Sequence, residues 1–187
     1  MDAEDRSLIE AFRRGEESAY TALVVKHRDA VYRIARRFLG NHEDAADIAQ
    51  EVLIRVYKAL PAFDGRCAFR TWLYRITVNL CIDHRDRWSR APQIALDEVP
   101  REPVDDQDPA EAVAQRELGR QVARAIQDLP PRQRAAVVLR LYHDLPYADI
   151  ARILECAEGT VKATMFAALA KLRRALAPHV VKGRYEV

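Results

Sequence analysis

Four prolines in a short acidic stretch separate the chain into two parts. They are Pro92, Pro100, Pro103 and Pro109. A continuous helix cannot run through them, because each proline removes a backbone donor and its ring clashes with the preceding turn. Residues 91–112 also hold seven acidic residues and one basic residue, a balance that disfavours a packed core. The pattern predicts two folded parts, 1–90 and 111–178, joined by a flexible linker at 91–110 and followed by a tail at 179–187.

The first part has the periodicity of amphipathic helices. Ser7 and Glu10 have the spacing of a capping box and predict the start of a first helix. Gly40 predicts the end of a second helix, and Asn41 predicts the cap of a third. A fourth helix is predicted from Phe69 to Trp88. Between Glu10 and Gly40, apolar residues and His27 recur at the three- and four-residue spacing of one helix face. They are Tyr20, Leu23, Val24, His27, Val31, Ile34, Ala35 and Phe38.

The sequence of the second part predicts four further helices, and the last two of them are expected to form a helix-turn-helix. Proline at the first turn of a helix is favourable, and Asp108-Pro109 and Pro130-Pro131 each supply one. Glu155-Cys156-Ala157 separates the last two helices, expected at 146–154 and 158–176. No segment alternates with period two for long enough to predict a strand. We therefore predict an all-α fold of two small helical domains, the second containing a helix-turn-helix.

Charge and cysteine content narrow the classes of function. The net charge of +2 hides a value of −6 for residues 91–112 and +6 for residues 113–187, an asymmetry that favours a polyanion partner. No apolar run approaches the roughly 20 residues of a membrane span, so no membrane insertion is predicted. Cys67, Cys81 and Cys156 form no CxxC pair, and a cytoplasmic location is expected.

The sequence contains no arrangement that points to catalysis. There is no HExxH, no GxSxG, no phosphate-binding glycine loop and no His/Cys cluster, and the five histidines are scattered. We predict a protein that is not an enzyme and that has no cofactor and no metal site.

The third predicted helix has an acidic face. Asp44, Asp47 and Glu51 recur at i, i+3 and i+7, with Gln50 beside them, opposite the apolar stripe. Such a row is either a solvated surface or a docking surface for a basic partner.

Aromatic and basic residues are concentrated in the following turn and helix. Aromatic rings stack on unpaired bases and cations follow phosphates, so this mixture favours single-stranded nucleic acid. The alternative is that the apolar members are core, and Phe69, Leu73, Ile76 and Leu80 are expected to be mainly structural. The candidates are Phe63, Arg66, Phe69, Arg70, Trp72, Tyr74, Arg75, Arg85, Arg87, Trp88 and Arg90.

Taken together, these segments resemble the extracytoplasmic-function sigma factors of the sigma-70 family. DIAQEV and TWLYRI resemble the promoter-melting domain of that family, and GTVK resembles the start of its DNA-reading helix. The resemblance covers nearly the whole chain in the right order. It implies a protein that binds core RNA polymerase, directs it to promoters and is controlled by a separate anti-sigma factor.

The resemblance also implies residue roles. Asp44, Asp47, Gln50 and Glu51 would contact the coiled coil of the largest polymerase subunit, beta-prime. The loop Phe63–Arg66, including Asp64, would capture a base flipped from the −10 element, with Tyr74, Arg75 and Asn79 near that pocket. The linker would enter the polymerase near the RNA path. The implied contacts to the −35 element are Lys162, Thr164 and Phe166, with Lys171 attracting phosphate.

Two departures from the family pattern lie in the helix-turn-helix. Residues 163–169 read ATMFAAL, where relatives carry arginines, so fewer direct base contacts are expected. Glu155 stands where the family has glycine, and a side chain there is strained if φ is positive.

Two other classes of function remain open at this point. A free-standing helix-turn-helix regulator would bind duplex DNA without polymerase, but it needs neither the acidic face nor the aromatic turn. A helical enzyme or metal sensor would need clustered ligands, and the sequence nominates none.

Overall fold

The computed structural model describes residues 2–88 and 109–182, and they form eight α-helices and two short helical turns. Within these residues there is no strand, and no helix combines the length and apolar character needed to cross a bilayer. The all-α prediction is confirmed. The α-helices are α1 (Ala3–Arg13), α2 (Glu17–Leu39), α3 (His42–Ala59), α4 (Phe69–Trp88), α5 (Pro109–Gln127), α6 (Pro131–Val137), α7 (Tyr147–Ile153) and α8 (Glu158–Lys182).

Local capping explains where the helices of the first domain begin and end. Asn41 Oδ1 accepts from the Asp44 backbone N–H at 2.7 Å and starts α3, as expected. Gly40 ends α2 with φ of 88°, a conformation that glycine adopts without strain. The predicted start of α1 was wrong: the Asp2 carboxylate caps the helix through the Glu4 backbone N–H, so Ser7 lies inside it.

The second domain follows the expected order of helices with two differences at the boundaries. After α6, the chain continues through a π-helical turn (Val138–Tyr142). The last helix, expected to end near residue 176, continues to Lys182 with Pro178 inside it. The predicted linker falls almost entirely on 89–108, outside the described residues.

Each domain buries the apolar stripes of its helices. Phe69, Leu73 and Leu80 of α4 are at most 2% exposed, and Ile76 packs against them from the edge, which confirms their structural role. His27 is also buried and lies 3.0 Å from the Asp5 carboxylate, so this histidine is a satisfied core residue.

The two domains pack against each other. α2 and α4 of the first domain contact α5, α6 and α7 of the second, and the buried apolar residues of both form one continuous cluster. This packing decides which predicted surfaces are open to solvent.

Candidate polymerase and nucleic-acid interfaces

The acidic face of α3 is open to solvent at three of its four predicted members. Asp47 and Gln50 are exposed, and Glu51 is half-exposed and accepts from Arg55 Nε at 2.8 Å. Asp44 differs, because its carboxylate accepts from the Asn41 side chain and lies 3.5 Å from His84 Nε2 of α4. Asp44 therefore stabilises the start of α3 and is less available to a partner than the other three residues.

The loop after α3 presents polar groups and hides its aromatic ring. Phe63 is 5% exposed, and its ring packs 5.0 Å from the ring of Trp72. Asp64 Oδ1 accepts from the Arg66 backbone N–H at 3.0 Å, and its other oxygen pairs with Arg66 Nε at 3.1 Å. Gly65 has φ of 72°, which completes the turn. Phe63, which was expected to stack on a base, is packed into the core in this structure, whereas Asp64 and Arg66 are exposed.

A cavity of about 260 Å³ lies between this loop and α1. Its polar lining comes from Arg6, Glu10 and Arg13 of α1, facing Asp64 and the backbone of the loop. Arg13 also donates to the Phe63 carbonyl and fixes the loop against the helix. Sequence reasoning missed this contribution of α1, although the i, i+4, i+7 spacing of the three residues places them on one helix face.

The candidate DNA surface on α4 is only partly exposed. Asn79 is exposed and Arg75 is about one-third exposed. Tyr74 is 5% exposed, with its ring 5.7 Å from the ring of His143 in the second domain, and burial raises the pKa of its hydroxyl. The second domain therefore covers one end of this surface.

The outer face of α8 carries the predicted duplex-reading residues. Phe166 is 79% exposed and Leu169 is 41% exposed, while Lys162 and Lys171 reach solvent and Thr164 is half-buried. Lys162 Nζ lies 2.8 Å from the Glu158 carboxylate. Met165 is 2% exposed, because it lies on the inner face of the helix.

The turn of the helix-turn-helix contains the strained residue that the sequence suggested. Glu155 has φ of 51°, and the Cys156 N–H bonds back to the Ala151 carbonyl at 3.0 Å. This is the pattern of a left-handed helix end that normally favours glycine.

Glu155→Gly should therefore be more stable than Glu155→Ala. Both variants lose the carboxylate, but only alanine keeps a Cβ in the left-handed region, which costs about 1 kcal/mol. We expect urea unfolding to give a free energy about 1 kcal/mol higher for the glycine variant. Equal stabilities would show that the turn stores no strain.

His143 is held neutral at the contact between the domains. Its Nε2 is buried without a hydrogen-bond partner. Burial first, and then Arg33, Arg70 and Arg37 of the first domain, lower its pKa to about 4.

The stability of the protein should consequently fall as the pH drops from about 6.5 to about 4. The unfolded chain binds a proton at His143 in this window and the folded chain does not, so protonation favours the unfolded state. Above pH 6.5 the imidazole is neutral in both states, and the folded state keeps its full stability. After allowance for solvent screening at this half-buried site, we expect His143 to lower the free energy of unfolding by about 1 kcal/mol across this pH range. Thermal unfolding of wild type and His143→Gln from pH 7 to 4 measures it, and parallel profiles would contradict the assignment.

Comparison with known proteins now decides the family. Residues 23–91 match the family described as Sigma-70 region 2, and residues 119–172 match Sigma-70, region 4. The two matches fall in the two observed domains and together cover more than half of the chain. This chain belongs to the sigma-70 family.

Curated relatives of this sigma factor match it over most of their length. It is 34% identical to the RNA polymerase sigma-H factor of Pseudomonas aeruginosa, over 94% of this chain and 95% of the relative. It is 33% identical to the ECF RNA polymerase sigma-E factor of Escherichia coli K12, over 88% and 90%. The expectation of an extracytoplasmic-function sigma factor, which directs core RNA polymerase to promoters, is therefore confirmed.

Solved structures share the fold. CnrH, in complex with the cytosolic domain of CnrY, matches with a TM-score of 0.70 and 24% identity, over 94% of this chain and 98% of that one. RpoE of Bartonella quintana, in complex with the anti-sigma factor NepR, matches with a TM-score of 0.67 and 21% identity, over 84% and 96%.

Proposed function

We propose that this sigma factor uses three separate surfaces in transcription initiation, and each of them is at least partly exposed in the structure. Asp47, Gln50 and Glu51 of α3 bind the beta-prime coiled coil of core RNA polymerase in the cytoplasm. The observation that carries this assignment is a solvated acidic row on a helix whose opposite face is fully buried. Carboxylates in such a row complement a basic helix pair and set the orientation of docking. Co-purification of the full chain with core polymerase tests it.

The second surface acts on the single-stranded −10 element. Asp64 and Arg66 lie in the polar loop, and Arg75 and Asn79 lie one turn apart on α4. A loop fixed by Arg13 and a helix face with amide and guanidinium donors can together hydrogen-bond an unstacked base and hold its phosphate. Tyr74 joins this surface when the second domain moves away.

The third surface is the outer face of α8, which reads the −35 element. Lys162 and Lys171 supply attraction to phosphate that does not depend on sequence. Phe166 and the methyl group of Thr164 can contact thymine methyl groups.

Discrimination by α8 should accordingly be modest. Arginine is the commonest bidentate reader of guanine, and residues 161–170 contain none. In titrations of the full chain with −35 duplexes, we expect single-base changes to cost less than the roughly 1–3 kcal/mol of a well-read base pair, and affinity to fall clearly with salt. Phe166→Ala should reduce thymine preference, with Leu118→Ala as a control at an exposed apolar residue outside α8. Sharp losses at several guanines would contradict this assignment.

We also propose that a separate anti-sigma factor controls the protein. The fold neighbour RpoE was solved with the anti-sigma factor NepR. The exposed apolar residues Phe166 and Leu169 give a protein partner a surface to bind. Competition between a candidate anti-sigma factor and core polymerase for the full chain tests this part of the proposal.

A further inference from the structure

Two opposite charges on α1 face the same cavity without a partner. Arg6 and Glu10 are one helical turn apart, yet among the described residues neither side chain forms a hydrogen bond or an ion pair. Arginine placed before glutamate is the weaker order for a pair at this spacing. Both side chains line the cavity of about 260 Å³ beside the loop. A guanidinium and a carboxylate are therefore available to a ligand there.

Apolar groups form the other part of the cavity wall. Ile9 is 3% exposed and Phe63 is 5% exposed, and both line the cavity. The loop backbone is uncovered at Gly65, where a Cβ would meet no atom within 4 Å. A few polar groups placed around an apolar wall suit a flat ring, because the ring buries its face and forms hydrogen bonds through its edges.

This cavity is separate from the surface that we propose on α4. Its lining comes from α1 and the loop, and no described residue of α4 or of the second domain belongs to it. The exposed loop residues Asp64 and Gly65 line the cavity, and Arg66 follows them directly. A strand held at Arg66 can therefore place a neighbouring base in the cavity.

Hydrogen bonds within the loop fix one wall and leave the other wall free to bind. Arg13 donates to a carbonyl of the loop, and the Asp64 carboxylate accepts from the backbone and the side chain of Arg66. Because Asp64 is already paired, Glu10 supplies the carboxylate that remains for a ligand and Arg6 supplies the guanidinium. A preorganised site of this kind discriminates well, since a mismatched ring leaves its polar groups unpaired.

We propose that this cavity binds one guanine of the unpaired promoter strand, and that Glu10 and Arg6 select it. Guanine is the one standard DNA base with two neighbouring donors, N1–H and the N2 amine, on one edge and two neighbouring acceptors, O6 and N7, on another. A carboxylate can accept from both donors, and arginine is the commonest side chain on O6 and N7. This second base site rests on the proposed single-strand function of the first domain.

A free guanine nucleotide carries the same hydrogen-bonding edges. A terminal phosphate has a charge of about −1.5 to −2 at neutral pH, and it would approach the carboxylates of Glu10 and Asp64 in the lining. Each phosphate within a strand carries less charge, and the adjacent Arg66 can hold it. These charges favour a guanine in a strand over a free nucleotide.

Seven-nucleotide strands of thymidine with one variable central base measure the selection. With the full chain and fluorescence anisotropy, we expect a central guanine to bind about tenfold more tightly than a central adenine, cytosine or thymine. A central inosine, which lacks the N2 amine, should bind about threefold more weakly than guanine. Equal affinity for all central bases would overturn the guanine site and leave single-strand binding in place.

Glu10→Gln shows whether the carboxylate makes the selection. Glutamine replaces one acceptor with a donor, and it pairs with adenine through N6 and N7. We expect this variant to bind guanine and inosine equally and to lose the preference for guanine over adenine. Glu4→Gln is the matched control on the same helix, since Glu4 pairs with Lys26 outside the cavity, and it should keep both preferences. A guanine preference that persists in Glu10→Gln would overturn the role of Glu10.

Two further measurements separate the sources of guanine and test Arg6. Guanosine monophosphate should displace the labelled guanine strand only at concentrations at least tenfold above those that the unlabelled strand requires, and displacement at lower concentrations would overturn the assignment to DNA. Arg6→Gln should weaken the guanine strand about tenfold, whereas Arg14→Gln, which removes an exposed arginine paired with Glu16, should change it less than twofold. Equal effects of the two variants would overturn the role of Arg6. Failure of every strand to bind the wild-type chain would instead overturn the single-strand function of the first domain.

Discussion

Replacing Asp47 and Glu51 together with lysine should weaken the binding of core RNA polymerase about 30- to 150-fold. The double variant changes the charge of the α3 face by four units and sets like charges against the basic partner that we propose. Juxtaposed like charges at an interface cost several kcal/mol, and about 2–3 kcal/mol corresponds to this loss. Both side chains lie outside the core, so the helix should stay intact.

A matched control separates the effect of where the charges lie from the effect of the change in net charge. Asp29→Lys/Glu117→Lys makes the same change of charge at two exposed residues on other helices and should bind polymerase within about twofold of wild type, because exposed charges at a distance are screened. Binding measured by fluorescence anisotropy, with circular dichroism for helicity, decides the matter. Unchanged affinity of the Asp47/Glu51 variant would remove α3 from the polymerase interface.

Replacing Arg66 and Asn79 together with alanine should leave duplex promoter binding nearly intact and reduce promoter opening about 30- to 150-fold. Both side chains are exposed in the first domain, on the loop and on α4. Each alanine substitution would remove a polar contact that is made only to the unpaired strand, and the loss of each contact costs about 1–1.5 kcal/mol. Permanganate footprinting of the −10 region with reconstituted holoenzyme measures the opened fraction.

Two further variants make that experiment specific. Arg28→Ala removes an exposed arginine from α2 and should open promoters normally. Phe63→Ala, in the loop that the family resemblance assigns to base capture, should instead lower the free energy of unfolding by about 3–5 kcal/mol, because it deletes a buried aromatic ring. Normal opening by Arg66→Ala/Asn79→Ala would contradict the assignment of the loop and α4.

Local signals explain why most of the fold could be predicted from the sequence. Asn41, Gly40 and the prolines act on the nearest turn of backbone, so their meaning does not depend on the rest of the chain. The prediction for α1 was wrong because Ser7 and Glu10 have capping spacing inside a helix that Asp2 already caps. Local spacing alone does not rank two competing caps.

The sites were less predictable because exposure depends on tertiary packing. The residue types near Phe63 and Tyr74 favoured base stacking, but both rings are buried, one by its own domain and one by the second domain. By contrast, the strain at Glu155 could be predicted, because it follows from the geometry of a single turn.

Run-off transcription with purified core RNA polymerase and a library of promoters tests the central claim most directly. The account predicts that this chain makes polymerase initiate on a subset of templates that share −10 and −35 elements, that no transcript forms without it, and that Asp47→Lys/Glu51→Lys reduces the yield at equal protein concentration. A chain that binds duplex DNA but gives no transcript with core polymerase under any of these conditions would contradict the account and support a free-standing helix-turn-helix regulator.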